Sequence, residues 1–206
     1  MTYKANTRMN TQVQAEITHE MSILLDNISE HISVAQNLFS LNEVIVKVGL
    51  LAAETLRNGG KILFCGNGGS AADSQHLASE LTGRFLKDRP PFAAIALSTD
   101  TSALTCIGND YSFGEIFARQ IAGLGRKNDV LIAISTSGNS VNIVRAVEEA
   151  RKLGIHTVGL LGCDGGCVSE LCSYNIIVPS QDTARIQECH ILIGHTICEL
   201  IERQFN

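Results

Sequence analysis

Five short apolar runs, KILFC (61–65), FAAIAL (92–97), VLIAIS (130–135), TVGLL (157–161) and NIIVP (175–179), alternate with stretches of helical spacing. Strands that are apolar on both faces and separated by helices leave few solutions. They pair in parallel and are covered on both sides by crossover helices. The predicted fold class is α/β, a three-layer sandwich around a five-stranded parallel sheet. Helical patterns fall at 70–81, 113–123, 141–153 and, weakly, 168–172. A last one at 184–204 carries Ile186, Cys189, Ile193, Ile197 and Leu200 on one stripe.

Before the first run, apolar residues recur at helical spacing from Val13 through Ile17, Met21, Leu24, Ile28 and Ile32 to Phe39, a long helix to precede a first strand. A second pattern, 41–57, stops at the NGG of 58–60, where glycine suits a helix C-terminus. With no linker in view, the 206 residues read as one domain. It comprises N-terminal helices over about 11–58, an α/β core over about 61–180 and a C-terminal helix over about 184–204.

Composition removes several classes of function. A net charge of −5 with no dense run of Lys or Arg offers no footprint for nucleic acid or an anionic membrane. No apolar run approaches the roughly 20 residues that span a bilayer, and MTYKANTRMNTQ lacks a signal-peptide stretch, so a cytoplasmic location is expected. Seven cysteines are an odd number in a chain too large to need disulfide staples, and are expected to be reduced. Cys163, Cys167 and Cys172 form one local cluster, but their spacing lacks the C-x-x-C pairs of a usual zinc site.

In parallel sheets of this kind ligands lie beyond the C-terminal strand ends, where strand order reverses. The loop after KILFC is Gly66, Asn67, Gly68, Gly69 and Ser70, opening directly into a helix. Glycines leave an approaching anion unobstructed and the helix start offers unpaired N–H groups, which suits phosphate. The loop is neither a Walker A sequence nor G-x-G-x-x-G, so no nucleotide cofactor is expected. After VLIAIS, Ser135, Thr136, Ser137 and Ser140 bring four hydroxyls to another helix start. The plainer alternative is that Ser140 only caps that helix. Two such loops at equivalent strand ends favour a phosphate site.

His76 and Glu80, four apart in the helix after the first loop, share a face. Gln187 and His195 lie eight apart on a row of the last helix that leaves its apolar stripe. If the two helices meet near the phosphate loop, two imidazoles, a carboxylate and an amide converge. Such a set can move protons between carbons or hold a metal with nitrogen and oxygen ligands.

Together, CGNGGSAADSQHLASELTGRF (65–85), IGND (107–110), ISTSGNS (134–140) and RIQECHILIGH (185–195) resemble the phosphoheptose isomerases, sugar isomerase (SIS) domain proteins, over nearly the entire chain. The resemblance implies a flavodoxin-like SIS fold with extra N-terminal helices. It implies conversion of sedoheptulose 7-phosphate to D-glycero-D-manno-heptose 7-phosphate, the first step toward nucleotide-activated heptose for bacterial surface polysaccharides such as lipopolysaccharide. It also implies a homotetramer with active sites at subunit interfaces, and zinc, one ion per subunit. By motif, Asn67, Gly68, Gly69, Ser70, Glu80, Asn109, Asp110, Ser135, Thr136, Ser137, Ser140 and Gln187 would contact substrate, and His76, Glu80, Gln187 and His195 would bind the metal. Ala184 departs from the aspartate many members carry before R-I-Q-E, a position the resemblance implies is a substrate contact.

Ketose–aldose conversion requires a base for the C1 proton, delivery of a proton to C2 and stabilisation of the enediol between them. Glu80 is the expected base and His195 the expected proton shuttle. A carboxylate held on zinc is a weaker base, so these roles compete. A related tetrameric adaptor that binds the replication initiator protein shares R-I-Q-E-x-H but lacks counterparts of Glu80 and His195; both are present here, which favours catalysis. A different sugar phosphate isomerase or a sensor on the same fold is the other alternative.

Overall fold

The computed structural model describes the backbone of residues 2–205 and the side chains of Val13, Ile17 and residues 20–205; Met1 and Asn206, at the ends of the expected domain, lie outside it. Helix α1 (Thr2–Asn37) runs through a 3-10 turn (Leu38–Leu41) into α2 (Asn42–Arg57). The core then alternates as β1 (Ile62–Gly66), α3 (Gly69–Thr82), β2 (Ala94–Ala96), α4 (Thr101–Asp110), a 3-10 turn (Phe113–Glu115) and α5 (Ala118–Leu124). It continues through β3 (Val130–Ser135), α6 (Val141–Lys152), β4 (His156–Leu161), α7 (Gly166–Leu171) and β5 (Tyr174–Ile177), and ends in α8 (Thr183–Arg203).

All five strands pair in parallel in the order β2-β1-β3-β4-β5. The strand order reverses between β1 and β3, which places the crevice between the loops that follow them. Strand alternation divides the core. Ile62, Phe64, Ile132 and Leu160 face α2, α3 and α8, packing on Val48, Ala52, Leu77 and Ile197. Leu63, Cys65, Leu131 and Leu161 face the other layer, against Phe117, Ile121, Ile143 and Val168.

Two expected elements change form and one helix is new. The helix expected over 113–123 is a 3-10 turn followed by α5, and the strand expected over 92–97 keeps only Ala94–Ala96. Helix α4 has no counterpart in the sequence reading: its large apolar side chains are only Leu104 and Ile107, half-buried against the core, too few over ten residues to set a helical period. All seven cysteines are free, and no described helix is long and apolar enough to cross a membrane.

His190 on α8 is fully buried, its Nε2 2.9 Å from the carbonyl oxygen of Leu161 and its Nδ1 without a partner. Burial pulls its pKa down from 6.5 to about 4, against the smaller upward pull of the Leu161 hydrogen bond. The unfolded chain therefore binds this proton first. Stability is full above pH 6.5 and falls as pH drops toward 4, by roughly 3 kcal/mol across that window. Urea unfolding of wild type and His190→Gln at pH 7 and pH 5 checks this: wild type should lose about 2 kcal/mol more than the variant. Equal losses would show that other groups set the acid limit.

Candidate active site

The two loops at the switch point are one structure. Asn67 and Asn142, the latter buried in the first turn of α6, exchange amide hydrogen bonds of 2.9 and 2.8 Å. The cap residues of the helices explain what the loops are free to do. Asp100 and Asp182 cap α4 and α8 by accepting from backbone amides. At the crevice, α3 starts from Gly68 and α6 from Ser140, and neither has a side-chain cap. The capping role open to Ser140 in the sequence is therefore not the one its hydroxyl plays, and two helix N-termini face the crevice with their positive ends uncompensated.

Two hydroxyls of the second loop shape its backbone, Ser135 Oγ accepting from the Gly138 amide at 3.1 Å and Ser137 Oγ from the Asn139 amide at 3.2 Å. Thr136 and Ser140 make no hydrogen bond through their hydroxyls among the described residues. Gly138 has φ +64, and a Cβ there would collide with the Gly165 carbonyl oxygen. The Val168 amide donates to the Gly138 oxygen at 2.9 Å and the Cys167 amide to Asn139 Oδ1 at 3.0 Å, so the start of α7 braces this loop. Ser70, by contrast, is buried, its carbonyl accepting from Ser74 Oγ.

Helices α3 and α8 cross closely at Gly194, where a Cβ would stand 2.5 Å from Leu77 Cδ2. That approach carries His195 to His76, Nε2 to Nε2 at 3.0 Å, while His76 Nε2 lies 3.0 Å from Glu80 Oε1. One donor atom from each of His76, Glu80 and His195 falls within 4.8 Å of the others, a spacing that could hold a metal ion. Gln187, two turns earlier on α8, places its amide against Gly69, at the loop end of the site. The structure thus joins His76, Glu80 and His195 directly and links Gln187 to the first loop.

Asn109 and Asp110 end α4, are exposed, and bond to each other at 2.8 Å; no hydrogen bond ties them to either loop among the described residues. Ala184, exposed in the first turn of α8, offers no polar side chain. Two neighbours of the site are not among the expected residues. Asn142 pairs the loops, and Asp73, one turn before His76, has a buried Oδ2 without a partner. Burial raises the Asp73 pKa and the nearby His76 partly offsets it. The i, i+3 spacing of Asp73 and His76 was the available signal. The R-I-Q-E motif divides by role: Arg185 binds Asn27 Oδ1 at 2.9 Å and Glu188, and Glu188 lies 2.7 Å from His31 Nδ1, so both charges dock α8 on α1.

With this geometry in place, the sequence matches the SIS domain family over residues 25–162. It is 51% identical over 185 residues to the phosphoheptose isomerase of Aliarcobacter butzleri, covering 90% of this chain and 98% of that one. It is 55% identical over 176 residues to the phosphoheptose isomerase of Campylobacter jejuni serotype O:6, covering 85% and 95%. The solved phosphoheptose isomerase of Neisseria gonorrhoeae superposes with a TM-score of 0.82 at 44% identity, over 93% of this chain and 99% of that one. The chain belongs to the SIS domain family, among its phosphoheptose isomerases.

Proposed function

We propose that the protein interconverts sedoheptulose 7-phosphate and D-glycero-D-manno-heptose 7-phosphate, the entry reaction to nucleotide-activated heptose. The observation that carries this reading is the meeting of Glu80 with His76 and His195 beside two joined loops whose helix starts lack caps. In this reading the phosphate rests on residues 67–70 and 135–140, with Thr136 and Ser140 supplying free hydroxyls and the α3 and α6 termini supplying field. Gln187 steadies the sugar beside Gly69, and Asn109 and Asp110 take its remaining hydroxyls.

The Glu80 carboxylate removes a proton from C1 and returns one to C2. The His195 imidazole carries the accompanying proton between the oxygens on C1 and C2, so the carbonyl moves with no net gain or loss of protons. His76, at hydrogen-bond distance from both, orients them. The same nitrogen and oxygen donors fit zinc: His76, Glu80 and His195 would hold it, and Gln187, whose amide stands beside Gly69, would be the fourth ligand. Bound there, zinc would polarise the substrate oxygens as a Lewis acid.

The exposed apolar side chains of α1, among them Met21, Leu24, Leu25 and Ile28, support association between copies of the chain; that the assembly is a homotetramer with its sites at subunit contacts is part of the proposal. Seven free thiols suit a reducing compartment, and the cytoplasm is the expected place of work. The test is incubation with sedoheptulose 7-phosphate, with and without chelator, followed by aldose formation. Product is expected, diminished by chelator. No product from a zinc-loaded preparation would sink the reading, and a monomer by light scattering would sink its assembly.

A further inference from the structure

Beyond α3 the chain turns through residues 83–89, and one side chain from the far end of α8 holds this turn. The Glu202 carboxylate, 2% exposed, accepts from the Phe85 and Leu86 amides at 3.0 Å each, from the Lys87 amide at 3.2 Å and from Arg89 Nε at 2.9 Å. Burial by itself raises the pKa of such a group; the Phe85 and Leu86 amides and the Arg89 guanidinium outweigh it, and Glu202 is held below its ordinary value. Every bond to this carboxylate is charge-assisted, so the turn is fixed where it stands.

Both ends of the fixed turn lead back to the site. Arg89 Nη2 donates to the Glu80 carbonyl oxygen at 2.8 Å and Nη1 to that of Leu81 at 2.9 Å, closing the last turn of α3. Phe85 lays its ring over the His195 imidazole, centroids 5.2 Å apart and planes 18° from parallel. The contacts form a closed circuit from His195 through Phe85, Glu202, Arg89 and Glu80 to His76 and back. An imidazole bonded on one edge can still swing about its χ angles, and a ring stacked on its face removes that freedom.

We infer that Phe85, anchored by Glu202, is a positioning residue that sets the plane of the His195 imidazole opposite His76 and Glu80. This rests on the proposed isomerase reading for the consequence on rate, but not for the geometry. Phe85→Leu keeps an apolar group and removes the ring. Turnover should fall about tenfold, the scale on which partners that orient functional histidines act. KM should stay within about twofold, because substrate contacts are untouched. Phe85→Tyr keeps the ring and should restore turnover.

An activity-independent measurement accompanies the kinetics. The His195 ring-proton NMR signal, assigned by its loss in His195→Gln, should be shifted upfield by the Phe85 ring current in wild type and in Phe85→Tyr. It should move downfield in Phe85→Leu and in Glu202→Gln. Wild-type turnover in Phe85→Leu, or a His195 signal unmoved in both that variant and Glu202→Gln, overturns the inference. An inactive wild type would instead count against the isomerase reading, with the NMR signal still deciding whether Phe85 orients His195.

Discussion

Glu80→Gln is expected to reduce turnover by about 10²–10⁴-fold while phosphate-dependent binding of substrate persists. Glutamine matches glutamate in shape and can still meet His76, from which Glu80 Oε1 stands 3.0 Å, but its amide cannot take a proton from carbon. The first loop lies at the N-terminus of α3, more than two turns before residue 80, and the second at that of α6, so neither has reason to change. Solvent deuterium incorporation at C1 of sedoheptulose 7-phosphate reads the proton step directly and should vanish with turnover. Zinc content measured on the same variant separates the two roles open to Glu80. Lost turnover with zinc retained assigns proton transfer to it, and lost zinc assigns a share of the effect to ligation. Turnover within a factor of ten of wild type would reject Glu80 as the base.

Gly138→Ala is expected to be the most disruptive single methyl in the chain's second loop. The residue sits at φ +64, and the added Cβ would meet backbone atoms of Gly165 and Gly166 rather than a side chain that can step aside. Strain of this kind together with the clash should cost roughly 2–4 kcal/mol of stability. The consequence reaches the site because the Gly138 oxygen accepts from Val168 and its amide donates to Ser135 Oγ. Moving one atom of this set moves the hydroxyls on either side of it. Thermal unfolding should show the loss, and KM for the phosphosugar should rise about tenfold or more, on the scale of one lost charge-assisted contact. A variant with unchanged melting and unchanged KM would mean the loop adapts, and the braced cradle described above would be wrong.

The fold was largely legible because buried strands announce themselves: VLIAIS is buried at all six positions of β3, and a run so short, repeated five times between helical stretches, fits a central parallel strand. The paired loops and the His76/Glu80 spacing were legible for the same local reason, since turn chemistry and helix periodicity act over a few residues. Helix α4 was not, because Leu104 and Ile107 alone, on ten residues, are too short a pattern to read as a helical period. Nor was the partnership of Arg89 with Glu202, 113 residues apart, or that of Asn67 with Asn142, 75 apart, since side chains that meet only through the tertiary fold leave no local pattern. His195 fell between these cases. Its place on α8 could be read, but the Gly194 approach to Leu77 that delivers it to His76 belongs to the packing of two helices.

The mutual amide clasp between Asn67 and Asn142 bears on how a sugar phosphate is caught and let go. Because each side chain satisfies the other before any guest arrives, the receptacle is already assembled, and little of the affinity is diverted into ordering main chain. Release, likewise, asks neither amide to find a new partner.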